Sequence, residues 1–336
     1  MRVIITAPSR LHFALIDLNG ELGRVDGGIG VALKEPALCI EVSVVGNPVE
    51  DNPEEVAPVI ERLSSIIKPA QRRNYRVKIL KRLPSHVGMG SRTQLSLSVA
   101  KAISVLERRH DSAAELAKLV GRGGTSGIGT AAFEHGGFIL DGGHRFQKTG
   151  DTNAIEPGAA KAGFMPSSAS TVAPPPVLFQ HPLPEDWFFV VAIPGVKRGA
   201  HGAEEIDIFK RYCPIERSEV EKICRIVLMR ILPSVVENDI TTFAESLTLL
   251  QEIGFKRIET ELQDDIIKAL FRFFDGHALG YGMSSFGPGT YAVVEGAKRA
   301  KALADSTSDF FRERHMQALV YYSNANSSGC GCEVMY

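Results

Sequence analysis

The 336-residue sequence has no apolar run long enough to span a bilayer, and its formal net charge is only −1. So small a charge gives no bulk electrostatic attraction to nucleic acid or to a membrane surface. The first eight residues lead directly into a predicted strand and lack the apolar region of a signal peptide. We therefore expect a cytoplasmic protein that binds neither nucleic acid nor membrane.

Cysteine is scarce and its number is odd, which argues against a disulfide framework. The five cysteines are Cys39, Cys213, Cys224, Cys330 and Cys332. Cys330 and Cys332 are close enough in the tail to form a metal or redox pair. The favoured interpretation is a flexible terminus with incidental thiols.

Hydrophobic residues make up 44% of the sequence, a normal fraction for a globular protein with a sizeable core. Strand-like and helix-like segments mix in two halves, separated by a change in composition near residues 158–185. We predict an α+β fold with one domain at residues 1–160 and another at residues 186–336. Residues 161–185 are predicted to be a loop or linker, and a substrate lid and a plain connection both stay open.

Residues 83–100 combine a tight turn with the start of a helix. Gly88 and Gly90 permit a sharp turn and close approach to a ligand, and no glycine or proline follows until well past residue 100. The N-terminus of such a helix attracts anions, and Arg92 adds a planar guanidinium group. We predict a phosphate or pyrophosphate site formed by Gly88, Gly90, Ser91, Arg92 and Thr93. A tight strand-to-helix connection without a ligand is the alternative.

Charged residues and glycines crowd into residues 8–30, between two predicted strands. Arg10 and His12 are two positions apart, so an extended backbone places both on one face. Arg24 and Asp26 follow in the same segment, which favours a functional site. A solvated turn with one histidine facing the core is the alternative.

A second glycine-rich segment at residues 121–144 requires close backbone approach at some point. Its polar side chains are candidates for the same site. They are Thr125, Ser126, Glu134, His135, Asp141 and His144.

Three stretches resemble motifs of the GHMP superfamily, named for galactokinase, homoserine kinase, mevalonate kinase and phosphomevalonate kinase. They are residues 8–13, residues 84–91 (Pro-x-x-x-Gly-Met-Gly-Ser) and residues 284–293, in the expected order. The resemblance implies an N-terminal domain like ribosomal protein S5 domain 2 and a ferredoxin-like C-terminal domain. Arg92 replaces a serine that helps to hold the nucleotide's magnesium in the kinases, and Gly129 replaces their catalytic aspartate. Both departures argue against phosphoryl transfer.

Residues 8–13, 20–30 and 122–130 resemble more closely the family of β-ribofuranosylaminobenzene 5′-phosphate synthases, archaeal enzymes of methanopterin biosynthesis. The resemblance implies a glycosyltransferase that joins phosphoribosyl pyrophosphate to 4-hydroxybenzoate or 4-aminobenzoate, with release of carbon dioxide and pyrophosphate. It implies Mg²⁺ as the cofactor and small molecules as partners, and a homodimer stays open. An ATP-dependent small-molecule kinase with an unusual base and a non-catalytic sensor remain as alternatives.

Site roles follow from this resemblance. The predicted catalytic residues are Arg10, His12, Arg24, Asp26 and His135. The predicted binding residues are Gly88, Gly90, Ser91, Arg92, Thr93, Ser126 and Gly127. The predicted magnesium ligands are Asp26, Glu134 and Asp141. The carboxylate of the aromatic acid would contact Arg10, Arg24 or Lys197. His12, His135 or His144 would polarise the para substituent, a role that suits a histidine titrating near neutral pH.

Overall fold

The computed structural model describes residues 1–66, 73–121, 127–147, 160–166, 172–196, 199–200 and 202–335. The strands are β1 (Arg2–Asp17), β2 (Arg24–Val45), β3 (Asn74–Lys81), β4 (Phe138–Asp141), β5 (His144–Gln147), β6 (Lys161–Ala162), β7 (Val177–His181), β8 (Trp187–Pro194), β9 (Gly280–Met283), β10 (Thr290–Glu295), β11 (Ala318–Asn324) and β12 (Gly331–Met335).

Among the described residues, the helices lie between these strands, six of them in one run between β8 and β9. They are α1 (Ala57–Ile66), α2 (Ser91–Leu106), α3 (Ala113–Leu119), α4 (Gly127–Glu134), α5 (Ala203–Tyr212), α6 (Arg217–Ile226), α7 (Leu232–Glu237), α8 (Ile240–Leu250), α9 (Gly254–Glu261), α10 (Asp265–Asp275) and α11 (Ala297–Arg312). A 3₁₀ turn at Glu54–Val56 precedes α1, and a π-helical turn at Val227–Ile231 joins α6 to α7. Within the described ranges, no helix is long and apolar enough to cross a membrane.

The first sheet is built on the long antiparallel hairpin of β1 and β2. Its main path runs β12-β1-β2-β4-β7, while β3 and β5 also pair with β2 and β6 pairs with β5. Alternate residues of the hairpin pack beneath α1, α2 and α3 in one hydrophobic core. The hairpin is therefore the central part of the sheet against which these helices and the glycine-rich turns pack.

The second sheet has the order β11-β8-β10-β9, and its central strand β8 is buried on both faces. Phe189 and Val191 on one face join a core that also contains Phe13 and Phe243. Val190 and Ala192 on the other face pack with residues of α10 and α11. Because the first of these cores includes residues of β1, it joins the two sheets.

Two predicted irregular segments instead form strands. Residues 161–185 contain β6 and β7, and β7 pairs with β4 in a register that places Phe138 opposite His181. The C-terminal tail forms β12, which pairs with β1 from Arg2–Met335 to Thr6–Gly331. The first sheet thus takes strands from all three predicted segments, because its pairing brings together residues far apart in sequence.

Candidate active site

A cavity of about 220 Å³ lies where β1, the turn before α2, the start of α4 and the turn before β10 meet. Its wall gathers most of the residues that the sequence singled out. They are Arg10, His12, Asp26, Gly88, Gly90, Ser91, Arg92, Thr93, Gly127, Asp141 and His144. The predicted binding residue Ser126 and the alternative clamp Lys197 lie outside the described residues.

Arg10 reaches the cavity from β1, on the same face as His12, because residues two apart on a strand share a face. Its Nη1 donates to the Gly88 carbonyl, and its backbone N–H donates to the Met89 carbonyl at 3.2 Å. Burial lowers the pKa of Arg10 to about 10, so the guanidinium remains charged at neutral pH. A fixed positive charge therefore lies beside the glycine-rich turn.

His12 is held by the turn before β10. Its backbone N–H donates to Ser284 Oγ at 2.9 Å, and its carbonyl accepts from the Ser285 N–H at 3.0 Å. Burial lowers the pKa of His12 well below its usual value, and the charges of Arg10 and Lys256 lower it further. The prediction of near-neutral titration is therefore wrong for His12, which is a neutral hydrogen-bonding group.

The turn before α2 ends at Gly90, which begins the helix without a side-chain cap. Gly88 and Gly90 have φ angles of 80° and 79°, a region that glycine adopts without strain. A Cβ at Gly88 would collide with the Ser284 carbonyl, and the Ser284 hydroxyl donates to the Gly88 carbonyl at 2.6 Å. Because the first N–H groups of a helix lack partners within it, residues 91–93 form an anion-binding edge on the cavity wall.

Asp26, His144 and Lys161 form a buried cluster on another side of the cavity. His144 Nδ1 lies 2.7 Å from Asp26 Oδ2, and Lys161 Nζ donates to both Asp26 oxygens at 2.9 and 2.8 Å. Burial alone would raise the pKa of Asp26, but the bonds from His144 and Lys161 hold it below its usual value. Asp26 is therefore an ionised carboxylate that is saturated by two internal partners.

Asp141 lies across from His12 on the cavity wall. A Cβ added at Gly28 would be 3.0 Å from His12 Nε2 and 3.3 Å from Asp141 Oδ2, so only a glycine leaves both side chains in place. Asp141 Oδ1 accepts from the Gly143 N–H at 2.9 Å. Burial raises the pKa of Asp141 to about 7, even though this hydrogen bond acts in the opposite direction. This carboxyl group can carry or release a proton near neutral pH.

Three predicted site residues lie outside the described cavity wall. Arg24 donates from Nε to the Gly142 carbonyl at 2.8 Å and from Nη2 to the Gly143 carbonyl at 2.7 Å, and so supports the turn between β4 and β5. Glu134 accepts from the Ala113 N–H at 3.2 Å, and His135 Nε2 lies 3.7 Å from Glu134 Oε2. Because α4 rises about 1.5 Å per residue, Glu134 lies roughly 10 Å along the helix from the cavity end.

The three predicted magnesium ligands do not fit a shared metal site. Both oxygens of Asp26 face the Lys161 ammonium, and Glu134 lies at the far end of α4. Asp141 lies on the wall and accepts from the Gly143 N–H. In the part of the chain that the structure describes, no three His, Cys, Asp or Glu side chains gather as metal ligands would. An ammonium group beside a carboxylate opposes a second cation there.

The position of the kinase base carries no carboxylate. Gly129 lies within α4, and its carbonyl accepts from Gln94 Nε2 of α2 at 2.9 Å. Sequence reasoning misses Lys161, which lies 135 residues from Asp26 and has no local pattern around it. Ser284 could be suspected only from its position, because it begins a glycine-rich turn.

A second cavity, about 430 Å³ in volume, lies on the other side of the start of α2 and shares His86, Ser91 and Arg92 with the first. Two further arginines line it. Arg82 forms an ion pair with Glu55, and Arg62 Nη1 donates to the Val120 carbonyl at 2.5 Å. The cations of this cavity are thus largely engaged within the protein.

The fold and the glycine-rich turn define the class of protein. Residues 55–137 match the GHMP kinases N terminal domain. The structure also resembles homoserine kinase from Cytophaga hutchinsonii with a TM-score of 0.68 at 16% identity, covering 99% of this chain and 97% of that one. At this identity the likeness establishes the fold, so the protein has the α+β fold of the GHMP kinases.

Two relatives define the family more closely. The chain is 42% identical over 306 residues to β-ribofuranosylphenol 5′-phosphate synthase of Methanothermobacter thermautotrophicus, covering 88% of this chain and 89% of that protein. It is also 42% identical over 347 aligned residues to the enzyme of the same name from Methanocaldococcus jannaschii, covering 97% and 99%. The chain belongs to the β-ribofuranosylphenol 5′-phosphate synthase family.

Proposed function

We propose that this protein is a decarboxylating pentosyltransferase that joins phosphoribosyl pyrophosphate to 4-hydroxybenzoate or 4-aminobenzoate. The anomeric carbon of the sugar bonds to the ring carbon that bears the carboxylate. The products are the β-ribofuranosyl-arene 5′-phosphate, carbon dioxide and pyrophosphate. This reaction would be the first step of methanopterin biosynthesis.

The observation that carries this proposal is the composition of the first cavity. Its wall combines an anion-binding edge at residues 91–93 and the cation Arg10 with titratable groups, His144 and Asp141. Departure of pyrophosphate needs the anion-binding edge, and substitution on an aromatic ring needs proton transfer. A kinase base is not required, which agrees with the glycine at position 129.

The two substrates would occupy opposite sides of this cavity. The pyrophosphate would lie at the start of α2, where Arg92 and the helix N–H groups stabilise its charge as it leaves. The aromatic carboxylate would face Arg10, and the ring would lie near His12. Since the predicted carboxylates do not form a magnesium site, we propose that Mg²⁺ enters bound to the pyrophosphate of the substrate.

Mass analysis of the products formed from phosphoribosyl pyrophosphate and each benzoate tests this function. With a substrate labelled in the carboxylate, we expect labelled carbon dioxide and ribosylated arene in equal amounts. Unequal amounts would exclude coupled decarboxylation. Phosphorylation of a small alcohol from ATP by the unmodified protein would instead establish the kinase alternative.

A further inference from the structure

Two buried polar atoms on the wall of the first cavity have no partner among the residues that the structure describes, Nε of Arg10 and Nε2 of His144. Arg10 already donates through Nη1, whereas His144, whose side chain is only 6% exposed, has the second nitrogen of its ring left over. Buried polar groups are nearly always hydrogen-bonded, so an exception on a cavity wall needs an explanation. A substrate group that bonds to this nitrogen supplies one.

The other ring nitrogen of His144 fixes the chemistry of Nε2. Asp26 is ionised and can only accept, so Nδ1 carries the proton of the bond between them. In the neutral ring, Nε2 then has a free lone pair that can accept a proton. Lys161 bonds to both oxygens of Asp26 and so prevents the carboxylate from turning away. The three residues orient one proton acceptor on the cavity wall.

The neighbouring groups favour His144 over His12 and His135 as the proton acceptor. His12 faces Arg10 and Lys256, whose positive charges oppose protonation of its ring. His135 lies outside the cavity wall. His144 instead faces the negative charge of Asp26, with the Lys161 ammonium beyond it and Asp141 on the adjoining strand. A carboxylate that accepts the Nδ1–H bond holds the ring in place and leaves Nε2 as its acceptor atom.

We infer that His144 is the general base that removes the proton of the acceptor's para-hydroxyl group, with Asp26 and Lys161 as positioning residues. This inference rests on the proposed function. The O–H bond breaks, its proton moves to Nε2, and its electron pair enters the ring. The ring carbon bonds to the anomeric carbon while the bond to pyrophosphate breaks. The carboxylate bond then breaks, carbon dioxide leaves, the ring becomes aromatic again, and His144 returns the proton to oxygen.

The first experiment compares two acceptors at about pH 8. In 3,5-difluoro-4-hydroxybenzoate the fluorines make the phenol acidic enough to enter largely ionised, so it needs no base. We expect His144→Gln to lower kcat with 4-hydroxybenzoate by about 10²–10⁴-fold, the usual contribution of a general base, and to lose far less with the difluoro acceptor. Equal losses with both acceptors would overturn the inference. His110→Gln, at an exposed histidine outside the cavity wall, is the matched control, with unchanged kcat expected.

The unmodified enzyme provides a second test that does not depend on how the variant folds. At about pH 8 in deuterium oxide, kcat with 4-hydroxybenzoate should fall, because the base breaks the O–H bond of this acceptor. With the difluoro acceptor, whose phenol enters ionised at that pH, kcat should change much less. Equal isotope effects with both acceptors would overturn the inference. Absence of ribosylated product with every benzoate would instead disprove the proposed function.

The positioning role of Asp26 has its own readout. Asp26 has a φ of 67°, a region in which asparagine is tolerated, so Asp26→Asn is compatible with the backbone. Loss of the carboxylate should lower kcat with 4-hydroxybenzoate more than with the difluoro acceptor, while the KM for phosphoribosyl pyrophosphate stays within about threefold. Equal losses of kcat with both acceptors, or a rise in KM alone, would assign Asp26 a merely structural role.

Discussion

The two cavities on either side of the start of α2 differ in what their walls leave unsatisfied. The first is about 220 Å³ in volume, and its wall includes Arg10 Nε and His144 Nε2, both buried without a partner among the described residues. The second is about 430 Å³, yet none of the described residues that line it has such an atom. Arg62 and Arg82 there bond within the protein. The smaller cavity is therefore the better candidate for a substrate site, because its wall has buried polar atoms without a partner that a ligand can bond to, and the wall of the larger cavity has no such atom among the described residues.

The largest expected effect concerns the pH dependence of stability, which we attribute to the buried wall of the first cavity. In the folded protein, burial raises the pKa of Asp141 to about 7. As the pH rises from about 4 to about 7, the unfolded chain therefore releases this proton while the folded protein keeps it, and the folded state loses stability. Asp141→Asn removes that loss. We expect the stability of the variant relative to the unmodified protein to increase over this range by up to roughly 4 kcal/mol, measured by chemical denaturation.

The comparison of Asp141→Asn with the unmodified protein cancels the contributions of other groups. Asp26, whose pKa is lowered, acts in the opposite direction, since its stabilisation is lost as the pH falls. A difference between the two proteins that is constant with pH would contradict the assignment to Asp141.

The second prediction concerns the close contact between α4 and the first cavity. A Cβ at Gly127 would collide with the Asp141 carboxylate and the Pro175 ring. Gly127→Ala should lower kcat by about a hundredfold, because displacement of site groups by about an ångström has effects of that size. Gly46→Ala is the control, since a Cβ there meets no atom within 4 Å. Equal kcat values for the two variants would show that the position of Asp141 does not affect turnover.

The third prediction concerns Arg92, which both cavities share. Arg92→Ala should weaken the binding of phosphoribosyl pyrophosphate by roughly tenfold, the lower end of the value of a charge-assisted hydrogen bond, because the side chain is exposed to solvent. Arg92→Lys should lose less, since it keeps the charge without the planar fork. Calorimetry measures both, and unchanged affinity in Arg92→Ala would remove this residue from the site.

The smallest effect is expected in the second cavity. Arg62 and Arg82 have internal partners, and Arg82 is paired at the surface, so replacing both with alanine should change the KM for phosphoribosyl pyrophosphate by less than about fivefold. Steady-state kinetics gives this value. A tenfold or greater rise in KM would show that substrate extends into the second cavity and would undo the distinction between the two.

Local patterns predicted part of this site. The spacing of Arg10 and His12 placed both on one face of a strand, and Gly88 and Gly90 marked the turn before α2. The α+β fold of the GHMP superfamily is confirmed. The oligomeric state and the requirement for Mg²⁺ stay predictions.

Contacts between residues far apart in the chain could not be predicted from local sequence patterns. Lys161 reaches Asp26 across 135 residues, and β7 and β12 find partners that no neighbouring residue indicates. Glu134 and His135 lie away from the cavity wall, and their polar character alone says nothing about which end of α4 meets the cavity. Burial, which makes His12 neutral, also depends on contacts that form only in the folded protein.

Ser284 has a consequence for how such proteins diverge. Its hydroxyl accepts from the His12 N–H and donates to the Gly88 carbonyl, so one side chain of the second half aligns two segments of the cavity wall in the first half, 272 and 196 residues away. Recombination between related genes at the middle of the chain could preserve both hydrophobic cores and still misalign the site. The two halves are therefore expected to evolve as a matched pair, with changes at the turn of one compensated at the turn of the other.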